Sequence, residues 1–123
     1  MRIKDKMSSK DEYFVLKESP GAPKKADYSV KLSGTMANPY IRDGDAVFVS
    51  AHADLEDGDV GIFLHSGKMV VRQYCEDSFG NIYLFTLDRK MKSHDITIPF
   101  DFPGKLVCFG RVLLKKRIPL PEN

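Results

Sequence analysis

Carboxylate pairs, thiols, imidazoles and hydroxyls are the groups in this chain that could do chemistry. Asp43-Gly44-Asp45 and Asp57-Gly58-Asp59 each place two acids one residue apart, as an acid–base pair or a cation site would. An aspartate beside a glycine is also what a tight turn uses. Asp bonds nearby backbone N–H groups and Gly accepts positive φ, so turn chemistry is the better reading of both. The two cysteines, Cys75 and Cys108, form no CxxC pair, which fits unpaired thiols in a reducing cytosol. His52, His65 and His94 show no metal-ligand spacing with each other or with the cysteines. No metal and no cofactor is expected. What remains is hydroxyl chemistry, which needs a base to take the proton.

Any such site must be positioned by strands. Tyr28-Ser29-Val30-Lys31-Leu32 alternates apolar and polar residues, the period-2 pattern of a half-buried strand. Ala46 to Ser50 and Val60 to Leu64 are short apolar runs that read as buried strands, with Asp57-Gly58-Asp59 turning between them. His65-Ser66-Gly67-Lys68 reads as a tight hairpin, followed by a strand from Lys68 to Tyr74. Further strands are expected over Asn81 to Leu87, Asp95 to Ile98 and Lys105 to Leu114, with Gly110 suiting a bulge or a close backbone approach. Met36 to Arg42 is the one stretch that suits a short helical turn. About seven strands at short intervals predict an all-β fold, a partly open barrel or a sandwich. The first 27 residues are polar and read as an arm and linker, with Ser19-Pro20-Gly21-Ala22-Pro23 extended. The domain spans 28–118, and 119–123 is a tail.

Composition agrees. The chain has 123 residues, 42% of them hydrophobic, enough for a core without staples. Its net charge of +2 is too small for nucleic-acid binding by electrostatics alone. The basic runs Lys24-Lys25 and Lys115-Lys116-Arg117 read as solvated faces. No apolar run is long enough to span a bilayer, and the start, Met-Arg-Ile-Lys-Asp-Lys, has no signal-peptide core. A cytoplasmic location is expected.

Four segments in order carry a resemblance. Ser33-Gly34-Thr35-Met36-Ala37-Asn38-Pro39-Tyr40-Ile41-Arg42-Asp43-Gly44-Asp45 resembles the nucleophile segment of LexA/UmuD-type self-cleaving serine peptidases and phage repressors. Their pattern is V-S-G-x-S-M-x-P-x-I-x-D-G-D. Asp57-Gly58-Asp59-Val60 resembles their G-D-[IV] segment, Val70-Val71-Arg72-Gln73-Tyr74 the strand that carries their lysine, and Cys108-Phe109-Gly110-Arg111-Val112 their closing strand. The resemblance implies a Ser–Lys dyad in which a desolvated lysine accepts the serine proton. It also implies a substrate that is the protein's own arm, held by proximity.

The dyad itself departs from the pattern. The gapless register puts Met36 in the nucleophile slot and Ala37 where the methionine belongs. A register with two compensating gaps puts Thr35 there instead. Ser33 fits the residue before the family's glycine. The base slot falls on Arg72, and arginine keeps its proton in proteins. Lys68 shares Arg72's strand face but lies four residues away, about 13 Å along a strand. No Ala-Gly pair, the usual scissile bond, precedes Tyr28, and Gly21-Ala22 runs in the reverse order.

The resemblance then implies a degenerate module that dimerises or binds a protein or peptide partner in its cleft, in a repressor or stress-response (SOS) setting. The homodimer would form through the closing strand region, Leu106 to Leu114. The alternative is an active self-cleaving peptidase using Thr35 with a different base. DNA binding by this chain alone is not expected, because its first 27 residues show no helix pair.

Overall fold

A computed structural model describes residues 13–15, 25–51 and 54–122. The expected linker around Ser19-Pro20, the Gly21-Ala22 pair and His52 lie outside the described residues. The all-β expectation holds. Eight strands form one open antiparallel sheet: β1 (Tyr13–Val15), β2 (Tyr28–Lys31), β3 (Ala46–Ser50), β4 (Val60–His65), β5 (Lys68–Glu76), β6 (Ile82–Phe85), β7 (Ile96–Ile98) and β8 (Val107–Leu113). Their spatial order is β1-β2-β3-β8-β4-β5-β6-β7. The short β1 falls in the segment read as an arm and adds to the edge of β2, with Phe14 opposite Ser29.

The hairpin between β4 and β5 forms where expected, with His65 opposite Lys68. Ser66 and Gly67 both have positive φ, 50° and 76°, the backbone that two-residue hairpin turns require. The closing strand β8 sits in the middle of the sheet, between β3 and β4. Its pairing with β4 shifts by one residue: Ile62 faces Gly110 and Phe63 faces Cys108. Gly110, at φ 147°, sits at this bulge.

One helical element occurs among the described residues, and it is not where the sequence suggested. It is a 3-10 helix over Arg89–His94, capped by Asp88, whose side chain accepts the Lys90 N–H. The basic Lys92 and His94 fall in its last turn, where the helix dipole favours positive charge. Residues 36–40 instead form successive turns, with a bend at Ile41. Asn38 N–H bonds Thr35 O at 3.1 Å, and Ile41 N–H bonds Ala37 O at 3.0 Å. Pro39 has no N–H to continue a ladder and disfavours helical backbone at the residue before it. Strand β6 stops at Phe85, because the Thr86 N–H turns to the Asp95 carboxylate at 2.8 Å.

Side chains are buried on both faces of the sheet. One face carries the main core, with Val30, Val47, Val49, Val60, Ile62, Phe109 and Val112 at its centre and Met69 and Val71 against it. Phe63 alternates to the other face and is also fully buried. No helix among the described residues is long and apolar enough to cross a membrane.

The turn between β5 and β6 depends on Asp77. Its Oδ1 accepts the N–H of Phe79 and of Asn81, both at 2.9 Å. Its Oδ2 accepts Asn81 Nδ2 at 3.0 Å and the Tyr83 hydroxyl at 2.9 Å. These donors, the Asn81 side chain first, hold the carboxyl below its ordinary pKa. A depressed carboxylate contributes stability that is complete above its unfolded pKa of about 3.9 and is lost as pH falls through the lower folded value. Asp77→Asn should therefore flatten the acid limb of thermal midpoint plotted against pH. An acid limb identical to the parent's would contradict this.

Candidate functional site

The turn after β2 is built by its own acids. Asp43 Oδ1 accepts the Gly34 N–H at 2.8 Å and Asp45 Oδ2 accepts the Arg42 N–H at 2.9 Å. Backbone bonds between Leu32 and Asp45 and between Gly44 and Leu32 close its base. Both acids thus act as turn acceptors. The Asp57 carboxylate likewise accepts the Glu76 N–H, and that of Asp59 the Glu56 N–H. Gly34 sits at φ 96°, a conformation that glycine adopts at little cost.

Within this turn Ser33 and Thr35 are exposed and Met36 is half-buried. Ala37 and Ile41 enter the core beside Leu87. The Met36 carbonyl accepts the Asp88 N–H at 2.8 Å, which fastens the turn to the start of the 3-10 helix. The Thr35 hydroxyl makes no hydrogen bond among the described residues.

Arg72 lies in β5 opposite Gly61. Alternation along the strand points it away from Val71 and Gln73, and Val71 packs on the same core as Ala37 and Ile41. Its side chain is buried, at 6% exposure. Nη1 donates to Val71 O at 2.9 Å and Nη2 to His94 O at 3.5 Å. Nε is buried without a partner among the described residues. Burial lowers the guanidinium pKa and Asp95 opposes the fall. A guanidinium starts so high that it remains protonated.

Met36 and Arg72 are therefore tied to opposite ends of one segment, Met36 at Asp88 and Arg72 at His94. No hydrogen bond joins the two positions among the described residues. Lys68 is exposed at the hairpin end of β5.

A buried guanidinium with a donor unmet has an energetic consequence. Arg72→Met keeps much of the volume and removes the desolvated charge. Because no carboxylate stands within ion-pair distance of it among the described residues, this change breaks no close buried pair, the case in which removing one partner is strongly destabilising. The expected result is an unchanged or higher midpoint in thermal unfolding. A loss above about 2 kcal/mol would mean that attraction to Asp95 outweighs desolvation.

The sequence pattern did not disclose a polar node beside this site. Gln73 is fully buried. Its Nε2 donates to Ile118 O at 2.6 Å and to Gly58 O at 3.1 Å. Its Oε1 accepts Arg89 Nη2 at 2.6 Å. Arg89 also donates to Thr86 O and to Pro119 O, each at 2.6 Å. The one signal in the sequence is a glutamine in core register with Met69 and Val71. The cysteines are free, and desolvation raises both thiol pKa values, which disfavours the reactive thiolate. Among the described residues no group of three or more His, Cys, Asp or Glu could hold a metal ion.

A family model described as Peptidase S24-like matches residues 3–112. No curated protein matches the chain.

Proposed function

The chain belongs to the Peptidase S24-like family, the LexA/UmuD type, and we propose that it is a member that does not cut itself and serves as a binding module. The observation that carries this reading is Arg72. In the position where the family resemblance calls for a neutral lysine stands a buried guanidinium, bonded to Val71 O and His94 O and facing Asp95. A general base must release its proton near neutral pH, and arginine does not. Met36 in the nucleophile slot has no group that could attack a carbonyl. Intact mass of the purified chain tests the reading: a single unchanged species is expected, and a pair of fragments rejects it.

A second reading rests on Thr35. Its side chain is exposed on the same tight turn, and a threonine hydroxyl is a competent nucleophile. This reading requires a base other than Arg72.

The binding role we propose is a homodimer in a repressor or stress-response setting, formed near the closing strand. Because β8 is paired on both sides, a second copy could meet only its face or the residues after it. A groove of about 490 Å³ borders that region, with Tyr40, Phe48, Leu113 and Leu114 among its walls, and Tyr40 is 48% exposed. Sedimentation of the purified chain should show a dimer that Tyr40→Glu dissociates. A monomer at all concentrations would reject this part of the proposal.

A further inference from the structure

A second pocket, of about 280 Å³, opens beside the end of β8; it shares Leu113, Leu114, Lys116 and Ile118 with the groove described above, and neither the 33–41 turn nor Arg72 contributes to it. Four cationic side chains line it, Lys25, Arg111, Lys116 and Arg117, with a single acid, Asp59. That acid is already engaged. Its Oδ1 accepts Arg117 Nη1 at 3.0 Å and its Oδ2 accepts the Glu56 N–H at 2.8 Å. Arg117 spends a second donor on Asp57 O at 2.7 Å. Arg111 Nη1 stands 3.8 Å from Asp59 Oδ2, beyond hydrogen-bond reach. Lys25 and Lys116 are exposed and make no ion pair among the described residues. One small concavity thus holds more positive charge than the whole chain carries net, which is +2. The half-buried Leu113 and Leu114 supply the aliphatic part of its wall.

We propose that this pocket receives a short acidic segment of a partner protein, one carboxylate side chain with an apolar neighbour. Charge complementarity supplies the acid, because Lys25 and Lys116 pair with no carboxylate among the described residues and Arg111 meets Asp59 only at 3.8 Å. The aliphatic wall supplies the apolar neighbour, which a nucleic-acid backbone would leave uncovered. The volume lies at the lower edge of ligand pockets, enough for one or two side chains. Arg117, fastened between Asp59 and Asp57, orients the rim before a partner arrives, and that lowers the cost of binding. The assignment holds whether or not the chain cleaves itself, so the two can fail separately.

The test is fluorescence polarisation of a labelled peptide of alternating Glu and Leu, titrated with the full chain. Binding is expected at about 0.1 M salt and should largely vanish near 1 M, where the screening length falls to about 3 Å. Lys25→Ala with Lys116→Ala, both at exposed positions, should weaken it about tenfold with an unchanged thermal midpoint. Four results would overturn the proposal. One is no binding up to about 1 mM peptide. Another is equal binding of a Ser-Leu peptide without acids. A third is tighter, equally lysine-dependent binding of a single-stranded oligonucleotide. The last is a peptide-free dimer that Lys25→Ala alone dissociates, which would assign the pocket to a second copy, since Lys25 lines this pocket and not the groove beside Tyr40.

Discussion

Gly110→Ala should lower folding stability by about 3 kcal/mol or more, the sum of a strained backbone and an overfilled site. Gly110 has φ 147°, where side chains are rarely found. A methyl group there would also lie 2.6 Å from Val49 Cγ1 and 2.7 Å from Ser50 O, inside any ordinary contact. The obstacle is partly backbone, and Val49 is itself fully buried, so neither can yield cheaply. The bulge that seats β8 between β3 and β4 thus depends on a missing side chain. Gly34→Ala is the internal comparison. Its φ is 96°, but an added Cβ would meet nothing within 4 Å, so its cost should stay near the conformational penalty of about 1–2 kcal/mol. Urea midpoints of the two variants decide the matter. Equal losses would show that the crowding at Gly110 relaxes.

The second large effect is expected at Gln73. Gln73→Leu keeps the size of the side chain but leaves Gly58 O and Ile118 O without their donor and deprives Arg89 of an acceptor. Each buried group left unpaired costs about 1–3 kcal/mol, so a loss of about 3 kcal/mol is expected. The effect reaches beyond the side chain, because Ile118 and Pro119 are held to the sheet through Gln73 and Arg89. In a double-mutant cycle with Arg89→Leu, coupling of about 0.5–3 kcal/mol is expected. Additive losses within about 0.5 kcal/mol would mean that the two residues do not act as one network.

These sites show what the chain made legible and what it hid. Period-2 alternation over Tyr28 to Leu32 and the Ser66-Gly67 turn are local signals, and both elements form as expected. Gly110 was legible because a glycine inside an apolar strand marks a bulge or a close backbone approach. The central place of β8 was not, since pairing partners far apart in sequence leave no local trace. Tyr13–Val15 is too short to announce a strand and forms one by pairing with β2. Arg89–His94 has no apolar periodicity, and its cap at Asp88 resembles any loop aspartate. At the candidate site, the gapless register pointed to Met36 for the family's nucleophile position, with Thr35 as the alternative, and to Arg72 for the base position. The burial of Arg72 and the Gln73 node needed the fold, because a polar residue in a strand can equally face water.

The most direct test of the central claim is intact mass of the purified chain over a day at neutral and strongly alkaline pH. Alkaline solution favours a neutral lysine base, so residual dyad chemistry should show there first. On the proposal that Arg72 fills the base position and Met36 the nucleophile position, the mass should stay unchanged at both values. Two fragments whose masses sum to the parent plus one water would contradict the claim. Their loss in Thr35→Ala would identify the chain as an active peptidase with threonine as its nucleophile.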